Sequence, residues 1–97
     1  KMVTVKKENN KITIAGHACY AEKGKDIVCA AVSVLAYTLE ASVSKLTHDT
    51  ADFIFLPDIT TIELKTMSET SKILLNSFII GIEELAANYP DYVELIN

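Results

Sequence analysis

The sequence predicts an α+β fold: one mixed or antiparallel sheet and two helices in a single-domain sandwich spanning residues 1–97, with element order β-β-α-β-β-α-β. Three observations predict it. Short apolar runs alternate with polar residues in the first and middle parts of the chain, two long segments carry apolar residues at helical spacing, and 97 residues suffice for one modest core.

Val3 and Val5 alternate with polar neighbours, Glu8-Asn9-Asn10 is rich in turn formers, and Ile12 and Ile14 alternate again, which predicts a β-hairpin running to about Gly16. His17 then stands at a strand end. From Ala18 to Lys25 no period is sustained and Gly24 lies between two lysines, so this stretch is expected to be an exposed, mobile loop. Asp26 is a good helix N-cap, and Ile27 to about Leu46 follows without Gly or Pro. That helix is apolar on most faces, which predicts burial on more than one side, in a core or at an interface.

Phe53 to Leu56 and Ile62 to Lys65 predict a second hairpin about the Pro57-Asp58 turn. Thr66 with Glu69 matches a capping box, after which Leu74, Phe78, Ile82, Leu85 and Tyr89 recur at helical spacing until Asn88-Tyr89-Pro90 ends the segment. Tyr92 to Ile96 predicts a short final edge strand.

Composition excludes several classes of function. The chain is 49% hydrophobic and 23% charged, the balance of a globular protein ordered throughout. Its net charge is −4 and its nine lysines are scattered, leaving no basic stripe to neutralise phosphates, so direct nucleic-acid binding is not expected. The opening residues alternate and turn polar where a secretory leader would stay apolar. The longest apolar stretch, Ile27 to Leu39, is interrupted by Ser33 and Thr38 and followed by Glu40, short of the ~20 residues of a membrane span. A cytoplasmic location without membrane contact is therefore expected. Two cysteines, Cys19 and Cys29, are too few for a disulfide scaffold.

Chemistry concentrates between Gly16 and Ser33. With Asp26 as N-cap, Cys29 falls in the first helical turn, where free N–H groups and the helix dipole favour thiolate, the attacking form of cysteine. His17, one loop away, is placed to take the thiol proton and return it to a leaving amine, and first-turn N–H groups suit the oxyanion of a tetrahedral intermediate. A buried core cysteine and a structural strand-end histidine are the alternatives that spacing leaves open. Asp26 suits an N-cap better than a third triad member. Ser33, one turn beyond Cys29 on the same helix face, suits a bond near the thiol as well as one back to a helical carbonyl. Tyr20 is a candidate lid contact or an ordinary exposed aromatic, and His48 is expected to cap the first helix or face water. A zinc set of His17, Cys19, Cys29 and His48 lacks the C-x-x-C pairs that mark such sites, and neither metal nor cofactor is expected.

Gly16-His17-Ala18, the loop with Gly24, and Asp26-Ile27-Val28-Cys29-Ala30-Ala31-Val32-Ser33 resemble the signature of the bacterial ribosomal-processing cysteine proteases (Prp). The resemblance extends to chain length and element order. It implies a catalytic dyad of Cys29 and His17, with the loop carrying Ala18, Cys19, Tyr20 and Gly24 covering the substrate. It further implies a homodimer that trims a short N-terminal extension from the large-subunit ribosomal protein numbered twenty-seven. Cys19 is taken as a bystander, a transient Cys19–Cys29 disulfide being the alternative. Two other functions compete: a non-catalytic homologue retained for protein binding, and a protease acting on a phage structural protein.

Overall fold

The computed structural model describes residues 2–22 and 24–97. The predicted order holds: β1 (Val3–Glu8), β2 (Lys11–Ala15), α1 (Ile27–Leu46), β3 (Ala51–Phe55), β4 (Ile59–Leu64), α2 (Glu69–Asn88) and β5 (Val93–Ile96). The five strands form one sheet in the order β3-β4-β2-β1-β5. β1 and β5 are parallel and every other neighbouring pair is antiparallel, so the sheet is mixed.

Register follows from the alternation of side chains. Val5 lies opposite Ile14, Ile12 opposite Ile62, and Val3 opposite Val93, so that strand after strand presents its apolar residues to one face. These residues are buried, and α1 covers them with Val28, Val32, Ala36, Leu39 and Val43 while α2 contributes Leu75, Phe78 and Ile82. Where the helices cross, Gly81 admits Leu35: a Cβ there would stand 2.9 Å from Leu35 Cδ2. The opposite face carries Lys11, Thr13, Glu63 and Asp52, and Lys65 Nζ bonds Glu63 at 3.1 Å. The sandwich thus has two layers, with a single core between sheet and helices.

Three local expectations change. Within the single chain α1 buries one face, and Ile27, Val34, Tyr37 and Leu46 are each more than half exposed, because one sheet and one neighbouring helix cannot surround it. By length and composition this 20-residue helix is long and apolar enough to cross a bilayer, as core helices can be, and its inner face is part of the core. The N-cap of α2 is Ser68 rather than Thr66, its hydroxyl accepting from Ser71 N–H at 3.2 Å. Thr66 instead donates to Asp49, which also accepts from the Ser68 N–H and the hydroxyls of Ser68 and Ser71.

Those donors, the Ser68 hydroxyl first, hold the Asp49 carboxyl well below the usual carboxylate range. Because the folded value is depressed, its contribution to stability is present above the ordinary carboxylate range and is lost as acid protonates it. The strand boundaries shift as well: β3 begins at Ala51, and β4 begins at Ile59 directly after the Pro57-Asp58 turn, where Leu56 N–H bonds Ile59 O at 2.9 Å. That earlier start of β4 brings the turn beside the end of β2.

Candidate active site

Gly16 ends β2 with φ +86, a left-handed conformation, and a Cβ there would lie 2.6 Å from Met2 O. Glycine is therefore required at the position that launches His17. Gly16 N–H also bonds Asp58 O at 3.2 Å, tying the strand end to the β3–β4 turn. From the same turn the Asp58 carboxylate meets His17 Nε2 at 2.8 Å.

The segment after His17 is an exposed loop without regular structure, as expected, and it is anchored at several points. Ala18 is fully buried in the core. Tyr20, rather than reaching over the cleft, packs edge-on against Tyr89 and Tyr92 with ring centroids 5.6 and 5.1 Å apart. Its N–H donates to Asp26 Oδ2 at 3.0 Å, and Lys25 N–H closes a turn onto Glu22 O. Cys19 is held in the left-handed region at φ +54 with its side chain exposed. Lys23 lies outside the described residues.

Asp26 caps α1 with one oxygen, Oδ1 accepting from Val28 N–H at 3.0 Å and Cys29 N–H at 2.9 Å. Burial works to raise its carboxyl, but the N–H groups of Cys29 and Tyr20 outweigh that and keep it ionised below the usual range. It makes no bond to His17. The cap places Cys29 in the first turn as the sequence predicts, yet it uses up first-turn N–H groups expected to be free for an oxyanion. The donors at the sulfur come from the loop instead: Ala18 N–H lies 3.4 Å from Cys29 Sγ, and Cys19 N–H also acts on the thiol.

The expected acidic thiol is also not what the environment produces. Burial pushes the Cys29 thiol above its ordinary value, the negative Asp26 adds to the rise, and the Ala18 and Cys19 N–H groups only partly oppose it. A thiol in this state needs a base to become a nucleophile. Replacing Asp26 by asparagine keeps a capping residue while removing the charge. Iodoacetamide labelling of Cys29 near neutral pH, followed by peptide mapping, is then expected to quicken by about two- to fivefold, and to rise with pH in both proteins. An unchanged or slower rate would show that Asp26 does not hold the thiol protonated.

His17, Cys29, Ser33, Pro57 and Asp58 are shared by two adjoining clefts of about 450 and 780 Å³. The smaller continues between α1 and the sheet over Ile14, Val32, Ala36, Tyr37, Phe55 and Ile59, with Thr60 on the same wall. The larger opens under the loop and reaches Cys19, Gly24 and Asp26. Ser33 stands exposed one turn beyond Cys29. The fold therefore gathers His17, Cys19, Gly24, Asp26, Cys29 and Ser33 around one opening, while Tyr20 faces away.

His48 follows the Thr47 C-cap at the far end of α1, the length of a 20-residue helix or ~30 Å from Cys29, so the four-residue zinc set cannot assemble. Among the described residues no group of three or more His, Cys, Asp or Glu side chains is arranged to hold a metal. Asp58 was legible only as a turn former; its meeting with His17 depends on β2–β4 pairing, Ala15 opposite Ile59.

The same arrangement of chain occurs in proteins already characterised. Residues 1–94 match the family model for cysteine protease Prp. Ribosomal processing cysteine protease Prp of Mycoplasma genitalium is 30% identical over 94 residues, covering 95% of this chain and 92% of that protein. Its counterpart from Mycoplasma pneumoniae is 29% identical, covering 95% and 91%. Among solved structures, an essential ribosomal processing protease Prp from S. aureus, in complex with a covalently linked product peptide, superposes with a TM-score of 0.87 at 20% identity over 98% of this chain and 96% of that one. With a family match across nearly its whole length and the same fold, this chain belongs to the Prp family of cysteine proteases, whose curated members are ribosomal processing enzymes.

Proposed function

We propose that the chain is a cytoplasmic cysteine endopeptidase in which Cys29 is the nucleophile and His17 the base, and that it removes a short N-terminal extension from the large-subunit ribosomal protein numbered twenty-seven. The observation that carries this is the convergence on one cleft of a thiol at a helix start, an imidazole, and loop N–H groups directed at the sulfur. Family membership supports the protease class. The peptide complexes of the S. aureus protein support an extended peptide as substrate.

The chemistry runs in two halves. His17 takes the Cys29 proton as sulfur attacks the peptide carbonyl, and the Ala18 and Cys19 N–H groups meet the resulting oxyanion. The tetrahedral intermediate then expels the amine, which receives the proton from His17, leaving a thioester on Cys29. Water, deprotonated by His17, attacks the thioester and releases the acid, and the thiol regains its proton. At its far end the smaller cleft beside Cys29 offers Tyr37 and Phe55, which supports a substrate with an apolar side chain near the cut bond.

Exposed Val34 on α1, with Ile73 and Ile80 on α2, supports a homodimer that would cover them. Sedimentation at micromolar concentration would then read twice the 10.7 kDa chain mass, and a monomer would remove this part of the proposal.

Incubation with the extended ribosomal protein, followed by mass spectrometry, tests the function directly. A product lacking the N-terminal segment supports the proposal. Stable association without cleavage would point to a binding module, and neither cleavage nor association would point to another substrate.

A further inference from the structure

Asp58 belongs to no motif in the sequence, yet it is the side chain that holds His17. Its Oδ1 lies 2.8 Å from His17 Nε2. A carboxylate can only accept, so Nε2 carries the hydrogen and the neutral ring keeps Nδ1 as its free lone pair. The geometry around this contact is fixed twice over from the backbone. Gly16 N–H bonds Asp58 O, and Leu56 N–H bonds Ile59 O across the turn that carries Asp58. Asp26, the other carboxylate of the cleft, is committed to the N–H groups of Val28, Cys29 and Tyr20 and is not a competitor for the ring.

We infer that Asp58 is a positioning residue: it fixes the orientation and tautomer of His17 so that Nδ1 is the nitrogen that exchanges a proton with Cys29. This rests on the proposed roles of His17 and Cys29, and adds to them a third group supplied by the β3–β4 turn. The shift of the Cys29 thiol away from ready ionisation makes an oriented base more valuable, because the proton must be removed as the substrate reacts. Both partners are open to water, their side chains 56% and 84% exposed. The effect is therefore expected to be far smaller than that of a buried triad carboxylate.

The test compares Asp58→Ala and Asp58→Glu with the wild-type protein, using a quenched-fluorescence peptide that copies the ribosomal extension and proton NMR of the imidazole. Asp58→Ala is expected to lower kcat about fivefold at unchanged KM, with Asp58→Glu recovering most of the loss. The wild-type protein and Asp58→Glu should share a His17 Hδ2 resonance shifted by the neighbouring carboxylate, and Asp58→Ala should lose that shift. An Asp58→Ala protein with the same resonance, or one that cuts the peptide as fast as or faster than the wild type, would overturn the inference. A wild-type protein that leaves the peptide intact would count against the proposed substrate, while the imidazole resonance would still decide whether Asp58 holds the ring.

Discussion

Replacing Cys29 by alanine is expected to reduce cleavage of the extended ribosomal protein by at least about a thousandfold while leaving its binding intact. The sulfur forms the covalent intermediate in the proposed reaction, and no other group in the cleft substitutes for it. Cys19 is a thiol close by, but it is exposed in a left-handed backbone, and it is its N–H rather than its side chain that acts on the Cys29 sulfur. The fold should tolerate the change, since Cys29 is only partly buried and alanine is a good helix former. Single-turnover cleavage followed by mass spectrometry, with fluorescence anisotropy for binding, separates the two effects. Residual cleavage within tenfold of the wild-type rate would rule out Cys29 as nucleophile.

Gly16→Ala is expected to have the largest effect on stability, about 2–3 kcal/mol. Two costs add. The backbone at φ +86 disfavours any side chain, and the new Cβ would sit 2.6 Å from a main-chain oxygen, Met2 O, which cannot swing aside as a side-chain tip would. Relief requires β1 and β2 to part just where His17 leaves the sheet. The Gly16 N–H bond to Asp58 O and the His17–Asp58 contact would be displaced together. A lowered urea midpoint, with activity falling more than the folded fraction accounts for, is the expected result. An alanine variant with the wild-type midpoint would show that the strand end is slack.

The elements that were legible in the sequence are those whose causes lie within a few residues. Alternation at Val3, Val5, Ile12 and Ile14 predicted the first hairpin, and Pro57-Asp58 predicted the turn of the second. Asp26 was recognisable as a cap because its capping bonds reach only two and three residues on, to Val28 and Cys29. The misreadings arose where a local signal met a distant partner. Thr66 and Glu69 have the spacing of a capping box, but Asp49 draws Thr66 away and gathers Ser68 and Ser71 instead, so that the cap falls to Ser68. The stretch after His17 is the exposed loop its composition predicts, but its anchors were not legible: Ala18 enters the core and Tyr20 finds Tyr89 and Tyr92 near the other end of the chain.

The site divides along the same line. Sequence alone determined that a cysteine occupies the first turn of a capped helix one short segment after a strand-end histidine, because capping and strand endings are set by neighbouring residues. Only the tertiary structure decided what surrounds that sulfur: an unionised thiol held by burial and Asp26, loop N–H groups as its donors, and Asp58 as the partner of a histidine 41 residues away. Those relations follow from strand register and helix packing, which bring together groups that no short window of sequence contains.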